Sequence, residues 1–317
     1  MPTYRYGNDY AVCLFKEQGS GLGAGYGNYA GDYASIDKIL SDTCEMKPSV
    51  EPLEPKVKTG TNEPQAITRL AGRTGGTVTL RGSLSQAHEV LLQALFSSSS
   101  SPYQVQDIRQ PWSYEIHQYF LGDSHGHVAT GCVLESIKLS GESSGQITYE
   151  AVFRARSIIS EVNLSLGDYA AYGSVSPSLV TPFLFGDIAG VSLLGSFDSF
   201  TNFELTLANR FVDDDALYQH SFAKRVELVS GFEGELSFTA IYTAEAGWKE
   251  DKLLASAVTD GAVAFTLSDG SSTWTVSAHG KLSDITPADP DRQIFLFSGT
   301  LTLLGEGSNR AVSVAVA

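Results

Sequence analysis

Residues 131–153 read GCVLESIKLSGESSGQITYEAVF, two alternating runs on either side of a Ser/Gly-rich turn. In the second run Ile147, Tyr149, Ala151 and Phe153 fall on one face. Gln146, Thr148, Glu150 and Arg154 fall on the other, interrupted by Val152. Side chains alternate across a strand, so this pattern places one face on a core and the other in water. Ser140 to Gly145 is the turn, and the segment predicts an antiparallel hairpin with strands at about 127–140 and 145–156.

Working outward, Thr77–Arg81 alternates after Gly75-Gly76, and a further strand is expected at about 112–121. Between them, Ser85 to Leu95 predicts a helix. Ser85 is the N-cap, and Ala87, Val90, Leu91, Ala94 and Leu95 form one apolar stripe. Toward the C-terminus strands are expected from Phe203 to Leu207 and at about 220–230, 234–243, 262–267, 273–280, 294–304 and 311–316. A second helix is expected at about 246–258, around Trp248 and Leu253. In 235–243 the alternation repeats: Leu236, Phe238, Ala240 and Tyr242 oppose Glu235, Ser237, Thr239 and Thr243, interrupted by Ile241.

The fold class is therefore mainly β, with helices among the strands. Residues 1–50 carry a Gly/Tyr-rich run, and Gly is costly inside a helix. They read as an extended arm, ordered where it meets a partner, with room for a short helix at 36–40. Pro48, Pro52 and Pro55 mark its end. The expected division is an arm at 1–50, a β domain at 51–157, a linker with loops at 158–194, and a second β domain at 195–317.

Three superpositions suggest that the β unit occurs twice. Leu139 to Val152 lies over Leu303 to Val316 at an offset of 164, Leu91-Leu92 over Leu253-Leu254 at 162, and Gly76 over Gly234 at 158. Hairpins resemble one another, however, and Ile137 to Phe153 also lies over Val226 to Tyr242 at an offset of 89.

The chain has 317 residues and a formal net charge of −15. That balance argues against a protein that grips nucleic acid, because phosphate binding needs Lys and Arg. It leaves open a surface that DNA slides past. No basic and apolar leader is visible at the start, and no apolar run approaches the ~20 residues of a membrane helix. Cys13, Cys44 and Cys132 have neither disulfide-framework nor zinc spacing, and read as thiols in a reducing cytoplasm.

Candidate chemistry is sparse. Gly141 to Gly145 matches the G-x-S-x-G nucleophile pattern, but Ser143 falls in a hairpin turn rather than between strand and helix. His125-Gly126-His127 reads as a solvated loop, and His88, His117, His220 and His279 are isolated. Asp213-Asp214-Asp215 and Asp289-Pro290-Asp291 read as solvated turns without a calcium-loop spacing. No complete dinucleotide fingerprint is present. The expectation is a protein with no catalytic residues, no metal and no cofactor.

The 131–153 stretch, preceded by the 76–95 strand and helix and by Trp112-Ser-Tyr-Glu-Ile, resembles a segment of the major tail tube proteins of long-tailed bacteriophages. Phe203-Glu-Leu-Thr-Leu-Ala-Asn-Arg210 and Gly231-Phe-Glu-Gly-Glu-Leu-Ser-Phe-Thr-Ala240 resemble the same family, and the likeness spans roughly 50–317. It implies a tail-tube-type β-sandwich or barrel with a flanking helix, in a structural virion protein made in the bacterial host cytoplasm, whose subunits form rings with a continuous inner β-barrel. The rings stack into a hollow tube. Implied partners are further copies of the chain, a tape-measure protein, and tail terminator and tip proteins, with no membrane. DNA passes through without specific binding. If the unit is duplicated, three chains supply six units, a trimeric pseudo-hexamer rather than a hexamer. On that reading the polar strand faces, with Lys138, Thr148, Glu150, Arg225, Glu227 and Glu235, contribute to the lumen, and carboxylates there repel the duplex over about a Debye length, ~8–10 Å. The outer surface is the alternative placement.

The other readings are a capsid decoration or tail-tip protein, a β-sandwich binding module such as a lectin or adhesin, and a hydrolase built on Ser143.

Overall fold

A computed structural model describes residues 10–17, 37–39, 41–53, 70–105, 111–120, 125–163, 181–193, 197–211, 218–219, 222–223, 229–242, 259–287, 296–305 and 310–317. The first half contains β1 (Tyr10–Lys16), β2 (Asp37–Ile39), β3 (Thr43–Leu53), β4 (Leu70–Ser83), a 3-10 turn at Gln86–His88 and α1 (Glu89–Phe96). It continues with β5 (Tyr103–Gln104), β6 (Tyr114–Phe120), β7 (His125–Glu142), β8 (Thr148–Ala155) and β9 (Ser157–Asn163). The second half contains β10 (Ala189–Leu193), β11 (Phe197–Phe211), β12 (Tyr218–Gln219), β13 (Phe222–Ala223), β14 (Val229–Tyr242), β15 (Thr259–Ser268), β16 (Thr273–Pro287), β17 (Leu296–Leu303) and β18 (Val312–Val316).

The pairing of the first half is repeated in the second. One face-forming set is β3-β4-β8-β7. The other is β11-β14-β17-β16. In each set the spatial order is first, second, fourth, third strand. The third strand is long and leaves the set partway along. Residues 125–132 of β7 pair with β6 and β9, and β6 pairs with β1. Residues 273–278 of β16 pair with β15 and β18, and β15 pairs with β10. The two sets join where Ser136–Glu142 of β7 pairs with Asn202–Ala208 of β11, giving a run of eight antiparallel strands, β3-β4-β8-β7-β11-β14-β17-β16.

Glycines sit where each long strand changes partners. Gly131 of β7 has φ +62°, and a Cβ there would lie 2.7 Å from Arg156 Cβ. At Gly280 of β16 a Cβ would lie 2.6 Å from the Thr302 carbonyl oxygen, so the close strand approach needs Gly.

Leu80, Ile137, Leu139, Tyr149, Phe153, Leu205, Leu236, Phe238 and Leu301 are buried on one face of the eight-strand run. Each such side chain contributes about 1.5–3 kcal/mol on burial. α1 covers part of this core with Val90, Leu91, Leu92, Ala94, Leu95 and Phe96. Ser97, at φ 48°, ends it in the left-handed conformation, and the Asn209 side-chain amide of β11 donates to the Leu95 carbonyl at 3.0 Å.

Several expectations are corrected. The 1–50 segment is not only an arm: β1, β2 and β3 are part of the sheet, and Val12, Cys13, Leu14 and Phe15 are buried. The Gly-rich composition of 19–30 masked the short apolar strand beside it. At 37–39 there is a strand pairing β1 instead of a helix, since β1 otherwise has an open edge. The 158–194 stretch contains most of β9 and all of β10. No turn interrupts β14 at 231–234. The repeated pairing matches β7 with β16 and β8 with β17, so the Leu139-over-Leu303 superposition joins non-equivalent strands. Gly76 and Gly234 do lie in matching strands, β4 and β14. The helix expected at 246–258 lies outside the described residues, as do 224–228.

Candidate functional site

Opposite the core, the eight-strand run presents a polar face built by cross-strand register. One row of directly opposed residues is Thr43, Arg81, Glu150, Lys138, Thr206, Glu235, Thr302 and Lys281. The next is Ser83, Thr148, Ser140, Glu204, Ser237, Thr300 and Asp284. The alternate positions, such as Leu80, Tyr149, Leu139, Leu205 and Leu301, point into the core, which fixes the polar residues outward.

Two ion pairs bridge neighbouring strands on this face. Arg81 Nε lies 2.8 Å from Glu150 Oε2, and Lys138 Nζ lies 2.7 Å from Glu204 Oε2. Hydroxyls fill the space between. Ser140 Oγ and Thr148 Oγ1 are 2.9 Å apart, Thr239 Oγ1 and Ser298 Oγ 2.9 Å, and Ser83 Oγ donates to Gln146 Oε1 at 2.6 Å. The hydrogen bond from Arg81, aided by its charge and that of Lys138, holds the Glu150 carboxyl below its ordinary range against the opposing effect of burial. Glu150 in turn raises Arg81. A shallow concavity of about 570 Å³ runs over Ser140, Thr148, Asn202, Glu204, Ser237 and Thr300.

The two rows carry three cations (Arg81, Lys138, Lys281) and four carboxylates (Glu150, Glu235, Glu204, Asp284). The face is thus close to neutral, although the chain carries −15. Of the six residues assigned from sequence, Lys138, Thr148, Glu150 and Glu235 share this face. Arg225 and Glu227 lie outside the described residues. Sequence reasoning missed Arg81, Glu204 and Lys281. Alternation in 77–81 and 203–207 marks the first two as outward-facing, but the neighbours that pair with them are set by register.

Among the described residues, the remaining candidates form no cluster. Ser143 sits in the β7–β8 turn, where the Gly145 N–H donates to the Glu142 carbonyl at 3.0 Å. His127 lies in β7 opposite Gln118, not in a loop, because β6 and β9 flank it. Buried His88 accepts the Ser85 N–H on Nδ1 at 2.9 Å, and buried His117 bonds Glu115. His220 and both acidic clusters are outside the described residues. Among those residues, no three His, Cys, Asp or Glu side chains form a group that could hold a metal. Cys13 and Cys132 are buried and Cys44 half-buried; burial pushes the Cys44 thiol up to about 12.

A second buried polar group anchors β1. Glu17, 4% exposed, accepts the Ser113 hydroxyl at 2.6 Å and the Gly131 N–H at 2.8 Å, tying the end of β1 to the bend in β7.

A family model described as phage tail tube protein matches residues 13–310, nearly the whole chain. No curated protein matches it.

Proposed function

Because the chain belongs to the phage tail tube protein family, and so is a structural component of a phage tail, we propose that its copies close into rings. The rings stack into the hollow tube that conducts the genome into the bacterial host. The observation that carries this is the eight-strand antiparallel run with one polar, near-neutral face.

Strand arithmetic favours three chains per ring. With strands ~4.8 Å apart and tilted ~40°, each strand occupies about 6 Å of circumference. Eight strands from each of three copies make a barrel of about 24 Å backbone radius. Allowing ~5 Å for side chains, the channel is about 38 Å wide, roomy for a hydrated duplex ~20 Å across. Two copies leave about 22 Å, and six leave more than ~80 Å. The repeated pairing pattern supports the same count: three chains then present six similar four-strand sets around the ring.

On this reading the hydroxyl and ion-paired face lines the channel. A wall on which Arg81 and Lys138 are already bridged to carboxylates releases fewer counterions to DNA phosphates and therefore holds the duplex weakly. The tape-measure, terminator and tip proteins are its partners in the tail, and the tube is assembled in the host cytoplasm before it becomes part of the virion. Electron microscopy of the purified protein tests the assembly. Rings or tubes with a central channel are expected, and a preparation of monomers alone at high protein concentration contradicts it.

A further inference from the structure

We propose that neighbouring copies in the ring join by repeating the junction already present inside the chain, with β16 of one copy pairing β3 of the next in the β7–β11 register. This rests on the ring reading above and specifies its lateral contact residue by residue.

The two four-strand sets share one pairing order. β7 is the third strand of the first set and β11 the first strand of the second. The strands in the matching positions are β16 and β3. Among the described residues, β3 pairs only with β4, and Lys281–Pro287 of β16 pairs only with β17. Among the described residues, then, no further strand pairs either outer edge of the eight-strand run, and unpaired strand edges recruit further strands. Direction also agrees. All eight strands alternate, and eight is even, so β3 and β16 run oppositely. Rotation about a ring axis preserves strand direction, so the contact between copies is antiparallel like every contact within the chain.

The polar row fixes the register. In the first set it runs Thr43, Arg81, Glu150, Lys138, and in the second Thr206, Glu235, Thr302, Lys281. The internal junction places Lys138 opposite Thr206. The same step between copies places Lys281 opposite Thr43, and on β3 it reaches only Thr43–Glu45, because Asp37–Ile39 pairs with β1. Side chains then keep their faces across the contact, polar toward polar and core toward core, which a one-residue slip would invert. The β3 edge is also guarded. The Gln118 side-chain amide occupies the Cys44 carbonyl at 3.1 Å, and Pro48 cannot donate. Such features discourage indiscriminate pairing beyond the short junction.

Disulfide trapping in assembled full-length protein tests this. Directly opposed residues of an antiparallel pair have Cα atoms ~4.5–5.5 Å apart, within disulfide range, whereas four residues further along the strand is ~13 Å away. In a Cys44→Ser background, oxidised Thr43→Cys/Lys281→Cys is expected to give covalently closed rings on a denaturing gel. Lys47→Cys/Lys281→Cys and the single variants are expected to remain monomeric. Rings visible by microscopy without the Thr43–Lys281 crosslink, or with the Lys47 pair crosslinked instead, overturn the register and leave the ring reading standing. Absence of rings from the unmodified protein overturns both.

Discussion

Arg81 Nε and Glu150 Oε2 are 2.8 Å apart on the neighbouring strands β4 and β8, directly opposite in register. The pair is half-exposed, so its net contribution to stability is small, about 0.2–1 kcal/mol. Its larger consequence is electrostatic. An arginine on the polar face, which lines the channel on the proposed reading, is neutralised by a carboxylate supplied from the adjacent strand.

Acid should reveal this pair. Arg81 lowers the pKa of Glu150 in the folded state. The stability it contributes is therefore fully present above the unfolded carboxylate value, ~4.3, and is lost as pH falls through the lower folded value. Glu150→Gln is expected to lose stability at pH 7 and to converge with the native protein near pH 3. Melting temperatures across that range check it, and parallel curves contradict it.

Gly280 should not accept a side chain. Gly280→Ala drives a Cβ toward the Thr302 carbonyl, and costs of about 1–3 kcal/mol are typical of such overpacking. At Gly231 a Cβ meets nothing within 4 Å, so Gly231→Ala should change stability far less. Urea unfolding of the two variants gives the comparison.

Glu17→Ala should loosen β1. It leaves the Ser113 hydroxyl and the Gly131 N–H without their carboxylate partner. An unsatisfied buried group costs about 1–3 kcal/mol, and Ser113→Ala should cost less because only one bond is lost. Hydrogen exchange of the β1 amides should rise in Glu17→Ala, while exchange in β14 stays unchanged.

Reversing the wall charge should make the channel sticky. Glu150→Lys with Glu204→Lys and Glu235→Lys removes three carboxylates and adds three cations on the polar face. Tubes of this variant are expected to retain short duplex DNA at low salt, protected from nuclease and released by added salt. Retained DNA that nuclease digests freely would place the face on the outside of the tube.

Much of the fold can be read from local patterns. The alternation of 146–154 and the turn at 140–145 specify a hairpin, and the Ser85 cap with its apolar stripe marks a helical segment, although Ser85 caps the 3-10 turn at Gln86–His88 and α1 itself begins at Glu89. Partnership cannot be read that way. Period-two sequence marks which face a residue occupies but not which strand lies beside it, so Leu303 in β17 was superposed on Leu139 in β7. The same limit hid Glu204 and Arg81 as the partners of Lys138 and Glu150. Tyr10–Lys16 went unrecognised because glycines crowd the residues that follow it, and Glu17 gave no sign that a carboxylate at the end of that strand would be buried.

The most direct measurement is a helical reconstruction of tubes formed by the purified chain. The account expects three chains per ring, about 24 strands around an inner barrel, and a channel about 38 Å wide faced by Lys138, Thr148, Glu150 and Glu235. Six chains per ring, or these residues on the outer surface, would contradict it.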